Sequence, residues 1–75
     1  MKLKDLLEVV DRMQDITLEI AGVTAPEGTY AQDIPVLREQ ALEMEVVVVH
    51  TAWYNAEDSI ETTLGVVVKG GKSNA

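Results

Sequence analysis

The sequence predicts a small α+β domain in which an N-terminal helix and a short second helix pack on a mostly antiparallel sheet. Two observations predict this class. Apolar residues recur at helical spacing near the start of the chain, and β-branched residues dominate from position 46 onwards. At 75 residues the chain has room for one domain. We predict the element order α-β-β-α-β-β, ending in a long β-hairpin, with a single domain over 1–69 and a flexible tail over 70–75.

The first predicted element is an amphipathic helix over residues 3–13. Its apolar residues recur at the spacing i, i+3, i+4, i+7, and charged residues separate them. We expect one face of this helix to be buried, formed by Leu3, Leu6, Leu7, Val10 and Met13.

A strict alternation of apolar and polar residues predicts the first strand over 16–21, with Ile16, Leu18 and Ile20 on its buried face. Gly22 ends this strand, and a short second strand over 30–32 pairs back onto it.

The sequence Asp33-Ile34-Pro35 predicts the start of the second helix. An Asp side chain can accept hydrogen bonds from free amides at a helix start, and proline is tolerated in the first turn. We predict a helix over about 35–42, with Leu37 and Ala41 facing inward beside Ile34.

The last predicted element is a hairpin that extends to Lys69, with a five-residue loop centred on Glu57. This loop pairs Tyr54 with Ile60, and Glu45 with Lys69. One face of the hairpin then belongs against the helices, and the other carries an exposed apolar set: Val47, Val49, Trp53 and Val67. We predict self-association or partner binding through this set. The alternative is that a helix covers this face and that the opposite face meets solvent.

Charge is distributed unevenly along the chain. The net charge is −7, and all four lysines, Lys2, Lys4, Lys69 and Lys72, lie near the two ends. Residues 5–68 combine two arginines with all thirteen acidic residues, which gives a net charge of −11. Such a body repels nucleic acid and anionic membranes and is attracted to basic surfaces. We predict an acidic partner-binding face formed by Glu39, Glu43, Glu45, Glu57, Asp58 and Glu61. The alternative is that the charge serves solubility alone.

The residues needed for catalysis are scarce. The chain has no cysteine and one histidine, and its serines lie in the hairpin loop and the tail. These residues offer no combination of nucleophile, base and orienting group, so we predict that the protein is not an enzyme and takes no metal or cofactor. His50 is interpreted as a packed or surface histidine. Arg12, Arg38 and His50 are possible contacts for a small anionic ligand.

The sequence shows neither the pattern of a signal peptide nor that of a membrane-spanning segment. Asp5, Glu8 and Asp11 interrupt what would have to be the apolar core of a signal peptide. The longest uncharged stretch, 46–56, falls short of the roughly 20 apolar residues that span a bilayer. We therefore expect a cytoplasmic protein without membrane contact.

The opening Met-Lys-Leu-Lys-Asp-Leu-Leu-Glu-Val-Val, followed by the predicted element order, resembles the small acidic accessory proteins of tailed bacteriophages and prophages. The resemblance implies a viral setting within a bacterial host. It also implies that the protein acts by occupying a host protein, as in inhibition of antiviral defence.

Three functions remain open at this point. The first is a phage-encoded binding protein that inhibits a host factor, plausibly a defence protein, through its acidic surface. The second is an oligomeric sponge that sequesters a small nucleotide signalling ligand. The third is a structural or assembly module. All three are compatible with self-association as a dimer or higher oligomer.

Overall fold

A computed structural model describes residues 1–70, except for the side chains of Tyr54 and Ala56. It shows a four-stranded mixed sheet with short helical segments, which confirms the predicted α+β class. The elements are α1 (Leu3–Leu7), β1 (Asp15–Ile20), β2 (Glu27–Tyr30), α2 (Ile34–Leu37), β3 (Glu45–Ala56) and β4 (Ser59–Lys69), with 3₁₀ turns at Ala31–Asp33 and Glu39–Ala41. Apart from Gly70, the predicted tail over 70–75 lies outside the described residues.

The strands lie in the order β2-β1-β4-β3. β1 pairs with β2 and β3 pairs with β4 in antiparallel fashion, whereas β1 and β4 are parallel. The helical segments between β2 and β3 make it possible for the chain to return with β4 parallel to β1. The sheet is therefore more mixed than predicted.

The core lies between one face of the sheet and the helical segments. Burial alternates along β1 with the predicted period of two, because successive side chains of a strand point to opposite faces. We call this buried side the helix face and the opposite side the open face. The core residues are Leu3, Leu6, Ile16, Leu18, Ile20, Ala31, Ile34, Ala41, Val66 and Val68.

The first helix is shorter than predicted, ending at Leu7 rather than at Met13. The Asp11 carboxylate accepts a hydrogen bond from the Met13 amide at 2.8 Å, and the Asp11 carbonyl accepts one from the Gln14 amide at 2.9 Å. Asp side chains compete with helical hydrogen bonding in this way and form turns instead. Met13 is consequently exposed, and the predicted inward position of this residue is wrong.

The predicted second helix is broken into two pieces at Arg38. The backbone of Arg38 leaves the helical region, with φ −135° and ψ 47°, and its guanidinium donates to the Leu37 carbonyl at 2.9 Å. Pro35 lies in the first turn as expected, but the Asp33 side chain caps no amide. Leu37 is exposed, so its predicted inward position is also wrong. The predicted second strand lies earlier than 30–32, because Ala31–Asp33 forms a 3₁₀ turn.

The hairpin between β3 and β4 has a two-residue turn, Glu57-Asp58, where the sequence predicted a five-residue loop. Ala56 lies opposite Ser59, so pairing extends up to the turn. Neither turn residue has a positive φ, which excludes the primed turns that suit the twist of hairpin strands. Because the turn residues are Glu-Asp and not Asn-Gly or Asp-Gly, the sequence contained no signal for a two-residue turn.

A β-bulge at Val47 corrects the predicted register. Glu45 lies opposite Lys69, as expected, but beyond the bulge every pair is shifted by one residue. Tyr54 accordingly lies opposite Glu61 rather than Ile60. The shift exchanges the faces predicted for the side chains of β3 along the rest of the hairpin.

The outer half of the hairpin projects beyond the other strands. Pairing between β1 and β4 begins at Leu64, so residues 52–63 form a two-stranded ribbon, which we call the arm. The molecule measures 46 × 24 × 20 Å as a result. No helical segment in the described part of the chain has the length and hydropathy needed to cross a bilayer.

Candidate functional site

The predicted acidic residues lie in separate places. Glu43 and Glu45 lie at the base of the sheet, close to the N-terminus, whereas Glu57 and Asp58 form the turn at the tip of the arm. The twelve residues of β3 separate these two groups by about 40 Å at the rise of an extended strand. The six residues therefore do not form one continuous face.

Cations neutralise the acidic residues at the base. The amine of Lys2 lies 3.0 Å from Glu43 Oε1 and that of Lys4 lies 2.9 Å from Oε2 of the same carboxylate. The amino group of Met1 lies 2.9 Å from Glu45 Oε2. Because each of these carboxylates has a positive partner, the base contributes little to the negative potential of the protein.

Within this ion-pair cluster, Lys4 and Glu43 shift each other's pKa. Hydrogen bonds from Lys4 and Lys2, reinforced by the charges of both lysines, lower the pKa of Glu43. The hydrogen bond to Glu43 and the charge of this carboxylate raise the pKa of Lys4. All three side chains are well exposed, so the cluster fixes the position of the N-terminus more than it stabilises the fold.

This cluster predicts a pH dependence of stability. The folded protein holds a proton on Glu43 less readily than the unfolded chain, so the contribution is present above the ordinary carboxyl pKa and is lost as the pH falls through the lower folded value. We expect E43Q to be less stable than the parent at neutral pH, and the difference to disappear in acid. Urea unfolding of both proteins across this range measures it. E39Q, which removes an exposed acid that forms no ion pair within the described residues, is the control, and an equal pH profile for both variants would contradict the prediction.

At the tip, the acidic residues have no cationic partner among the described residues. Glu57 and Asp58 are exposed, and Glu61 is exposed and accepts a hydrogen bond from the Ser59 hydroxyl at 2.8 Å. Glu39 lies apart from them in the second 3₁₀ turn and is also exposed. The tip is therefore the concentrated part of the predicted acidic set.

The predicted apolar interface is divided between the two faces of the sheet. Val49 and Trp53 lie opposite Val66 and Thr62, which places them on the helix face, where both remain exposed. Val67 lies on the open face, where it is only half exposed, and Val47 is the bulged residue. The single exposed face predicted for this set is wrong, because the bulge reverses the orientation of β3.

An exposed apolar pair lies on the arm. Trp53 is 66% exposed and Ile60 is 65% exposed. Trp53 lies opposite Thr62, and Ile60 lies opposite Asn55, so both side chains belong to the helix face. Neither side chain belongs to the hydrophobic core or to the residues packed against it. The arm thus presents large apolar side chains next to an acidic tip.

His50 covers Gly65 on the open face. A Cβ atom added to Gly65 would lie 2.4 Å from His50 Nε2, so only glycine leaves room for the ring in this position. An aromatic ring that covers a glycine on the neighbouring strand is a known means of stabilising a sheet. The register shift at the bulge brings His50 opposite Gly65.

The open face also contains a buried hydroxyl network that the sequence did not predict. Thr63 Oγ1 lies 3.0 Å from the Asp15 carbonyl, 2.9 Å from Asp15 Oδ1 and 3.0 Å from Thr17 Oγ1. Thr63 is buried although it belongs to the arm. The sequence contained one indication of this network: the small residues at 63 and 65 lie on the same face of β4 and leave room there for close packing.

Two shallow depressions adjoin this network. One, of about 260 Å³, is lined by residues that include Thr17, Glu19 and His50, and the other, of about 440 Å³, by residues that include Asp15 and Tyr30. Neither depression is lined by the arginines proposed as ligand contacts. Arg38 instead pairs with Glu27, and Arg12 lies in the turn that follows α1.

Within residues 1–70, no three acidic or histidine side chains are close enough together to hold a metal ion. The chain matches no protein-family model, and comparisons with curated proteins and with solved structures find no match.

Proposed function

We propose that this chain is a phage-encoded, non-catalytic binding protein that occupies a basic surface of a host protein, such as one that acts in antiviral defence. The observation that carries this proposal is the separation of charge. The lysines near the N-terminus are engaged with carboxylates at the base, while the acidic residues of the tip have no cationic partner in the described structure. Exposed charge of one sign steers association with a partner of the opposite sign.

The arm places these negative charges where a partner protein can reach them. Its acidic turn projects beyond the rest of the sheet, and Trp53 and Ile60 supply apolar surface behind it. Tryptophan is among the residues that contribute most to protein interfaces, and a surrounding rim of charge provides specificity. The alternative of a sponge for an anionic ligand has less support, because neither Arg12 nor Arg38 lines the depression that contains His50.

The test compares charge at the tip with equal charge elsewhere. We expect E57Q/D58N to weaken capture of the host protein by at least roughly tenfold, because charge-assisted contacts are worth more than about 1 kcal/mol each. The tagged full-length chain is immobilised and exposed to an extract of the bacterial host at about 0.05 M and about 0.5 M salt, and the retained proteins are quantified by mass spectrometry.

The matched control is E8Q/E39Q, which removes the same number of negative charges from exposed positions away from the tip. The proposal requires one protein that binds the parent and the control, that binds the tip variant weakly, and that high salt releases. Equal retention by both variants, or no specific retention by the parent, would exclude the tip as the binding element.

A further inference from the structure

The outer edge of β3 is covered for only part of its length. At the base, the N-terminal segment pairs with it: the Val46 amide donates to the Met1 carbonyl at 2.8 Å, and the Leu3 amide donates to the Met44 carbonyl at 3.0 Å. The bulge at Val47 follows. Residues 48–56 then form an edge that no other strand pairs within the described structure.

The register determines which backbone groups this edge presents. Ala56 and Ser59 flank a two-residue turn and so exchange both of their hydrogen bonds, and hydrogen-bonded pairs then alternate along the hairpin. Four residues of β3 consequently direct their amides and carbonyls away from β4: Val49, Thr51, Trp53 and Asn55. The Thr51 carbonyl also lies 3.1 Å from His50 Nδ1, and it keeps a second lone pair for a further donor.

We propose that two copies of this chain pair through the uncovered edges of β3, in antiparallel fashion about a twofold axis at Ala52, to form one continuous eight-stranded sheet. The uncovered edge runs from 48 to 56, and Ala52 is its midpoint. In this register Val49 pairs with Asn55 of the second copy, and Thr51 pairs with Trp53. All four outward residues of each copy are then satisfied, by about eight hydrogen bonds between the chains.

Charge favours a second copy as the occupant of this edge. The body as a whole is strongly acidic, yet residues 48–56 contain no Asp, Glu, Lys or Arg. Two acidic chains can therefore approach here without placing like charges in the interface. The antiparallel arrangement also places the tip of one copy beside the base of the other, where Lys2 and Lys4 already neutralise Glu43, so the two acidic tips are kept apart.

The arm itself supplies a further reason for this pairing. It is a ribbon of two strands, and such ribbons are marginally stable in water without a third strand or a packed face. Pairing would give each arm a third strand and would bring Trp53 against Thr51 of the second copy on the helix face. This inference stands apart from the proposed host protein, because it needs only the chain itself.

Disulfide trapping tests the axis directly, since the chain has no cysteine. At a non-hydrogen-bonded antiparallel pair the two Cα atoms lie about 4.5 Å apart, within the range that a disulfide spans. We expect A52C to form a covalent dimer under mild oxidation at least roughly tenfold faster than T62C, an exposed cysteine on the other strand of the arm. Similar rates for both variants would overturn the register.

Sedimentation of the parent and of T51P tests the edge. The parent is expected at twice its 8.2 kDa mass. T51P removes an outward amide that β4 does not use, and proline is tolerated on an edge strand with its nitrogen towards solvent. We expect T51P to dimerise at least roughly tenfold more weakly than T51V, which keeps the amide. A parent that stays monomeric at about 0.5 mM, or a T51P dimer as strong as that of T51V, would overturn the proposal. If T51P does not fold, the cysteine pair decides.

Discussion

Replacing Ile16 with alanine is expected to lower the free energy of unfolding by about 2–5 kcal/mol, because the shortened side chain leaves a cavity that a small core cannot close. Ile16 is fully buried on the helix face of β1 and lies between Thr29 of β2 and Leu64 of β4. A domain of this size has a total stability of about 4–11 kcal/mol. The loss is therefore a large fraction of the total stability, and it unfolds the variant at room temperature if the parent lies at the lower end of this range.

The chain contains a matched control of the same residue type. Ile60 is 65% exposed on the arm, and I60A should change stability by less than about 0.5 kcal/mol. Urea unfolding of the three proteins, followed by circular dichroism at one protein concentration, measures both effects. If I16A and I60A lost equal stability, Ile16 would not lie in the hydrophobic core between the sheet and the helical segments.

The sequence predicted β1 well for a physical reason. Ile16, Leu18 and Ile20 alternate with less apolar residues, and a strand with one buried face requires this pattern whatever its neighbours are. The pairing of β1 with β4 could not be read in the same way. It joins segments nearly fifty residues apart, and no local pattern specifies which strand lies beside which.

The helices show where local patterns compete. Residues 3–13 have the period of an amphipathic helix, but the Asp11 side chain offers the backbone another hydrogen-bonding arrangement, and the turn prevails. The second helix is interrupted at Arg38. The guanidinium of this residue donates to the Leu37 carbonyl and pairs with Glu27 at the same point. Periodicity alone does not reveal which arrangement is lower in free energy.

The faces of the hairpin were the least predictable feature, and the candidate site depends on them. Positions 46–49 are four consecutive valines, so a bulge at any one of them exchanges chemically identical side chains. The sequence therefore contains nothing that reveals the bulge, although the presence of one extra residue in β3 decides whether Val49 and Trp53 lie on the helix face or on the open face. The acidic residues could be named from the sequence, but their division between base and tip required the fold.

Replacing Thr63 with valine is expected to lower the free energy of unfolding by about 1–3 kcal/mol, although the two side chains have nearly the same shape. Thr63 is 5% exposed, and its hydroxyl is close to Thr17 Oγ1 and to both the carbonyl and the carboxylate of Asp15. Valine would fill the space without supplying a donor, and it would place a methyl group against polar oxygen atoms. The hydroxyl also joins the arm to the start of β1, so we expect its loss to loosen the arm before the rest of the sheet.

Thr62 provides the comparison for this substitution, because it is the preceding residue of the same strand and is exposed on the other face. T62V should be neutral or slightly stabilising, since valine has at least the strand propensity of threonine. Urea unfolding gives the global difference between the variants, and amide hydrogen exchange of residues 52–63 reports the local one. Faster exchange across the arm in T63V but not in T62V is the expected result. Equal stability and equal exchange in the two variants would mean that the hydroxyl network does not hold the arm against β1. The position of the arm would then depend on the pairing of β3 with β4 and on the pairing of its edge with a second copy of the chain.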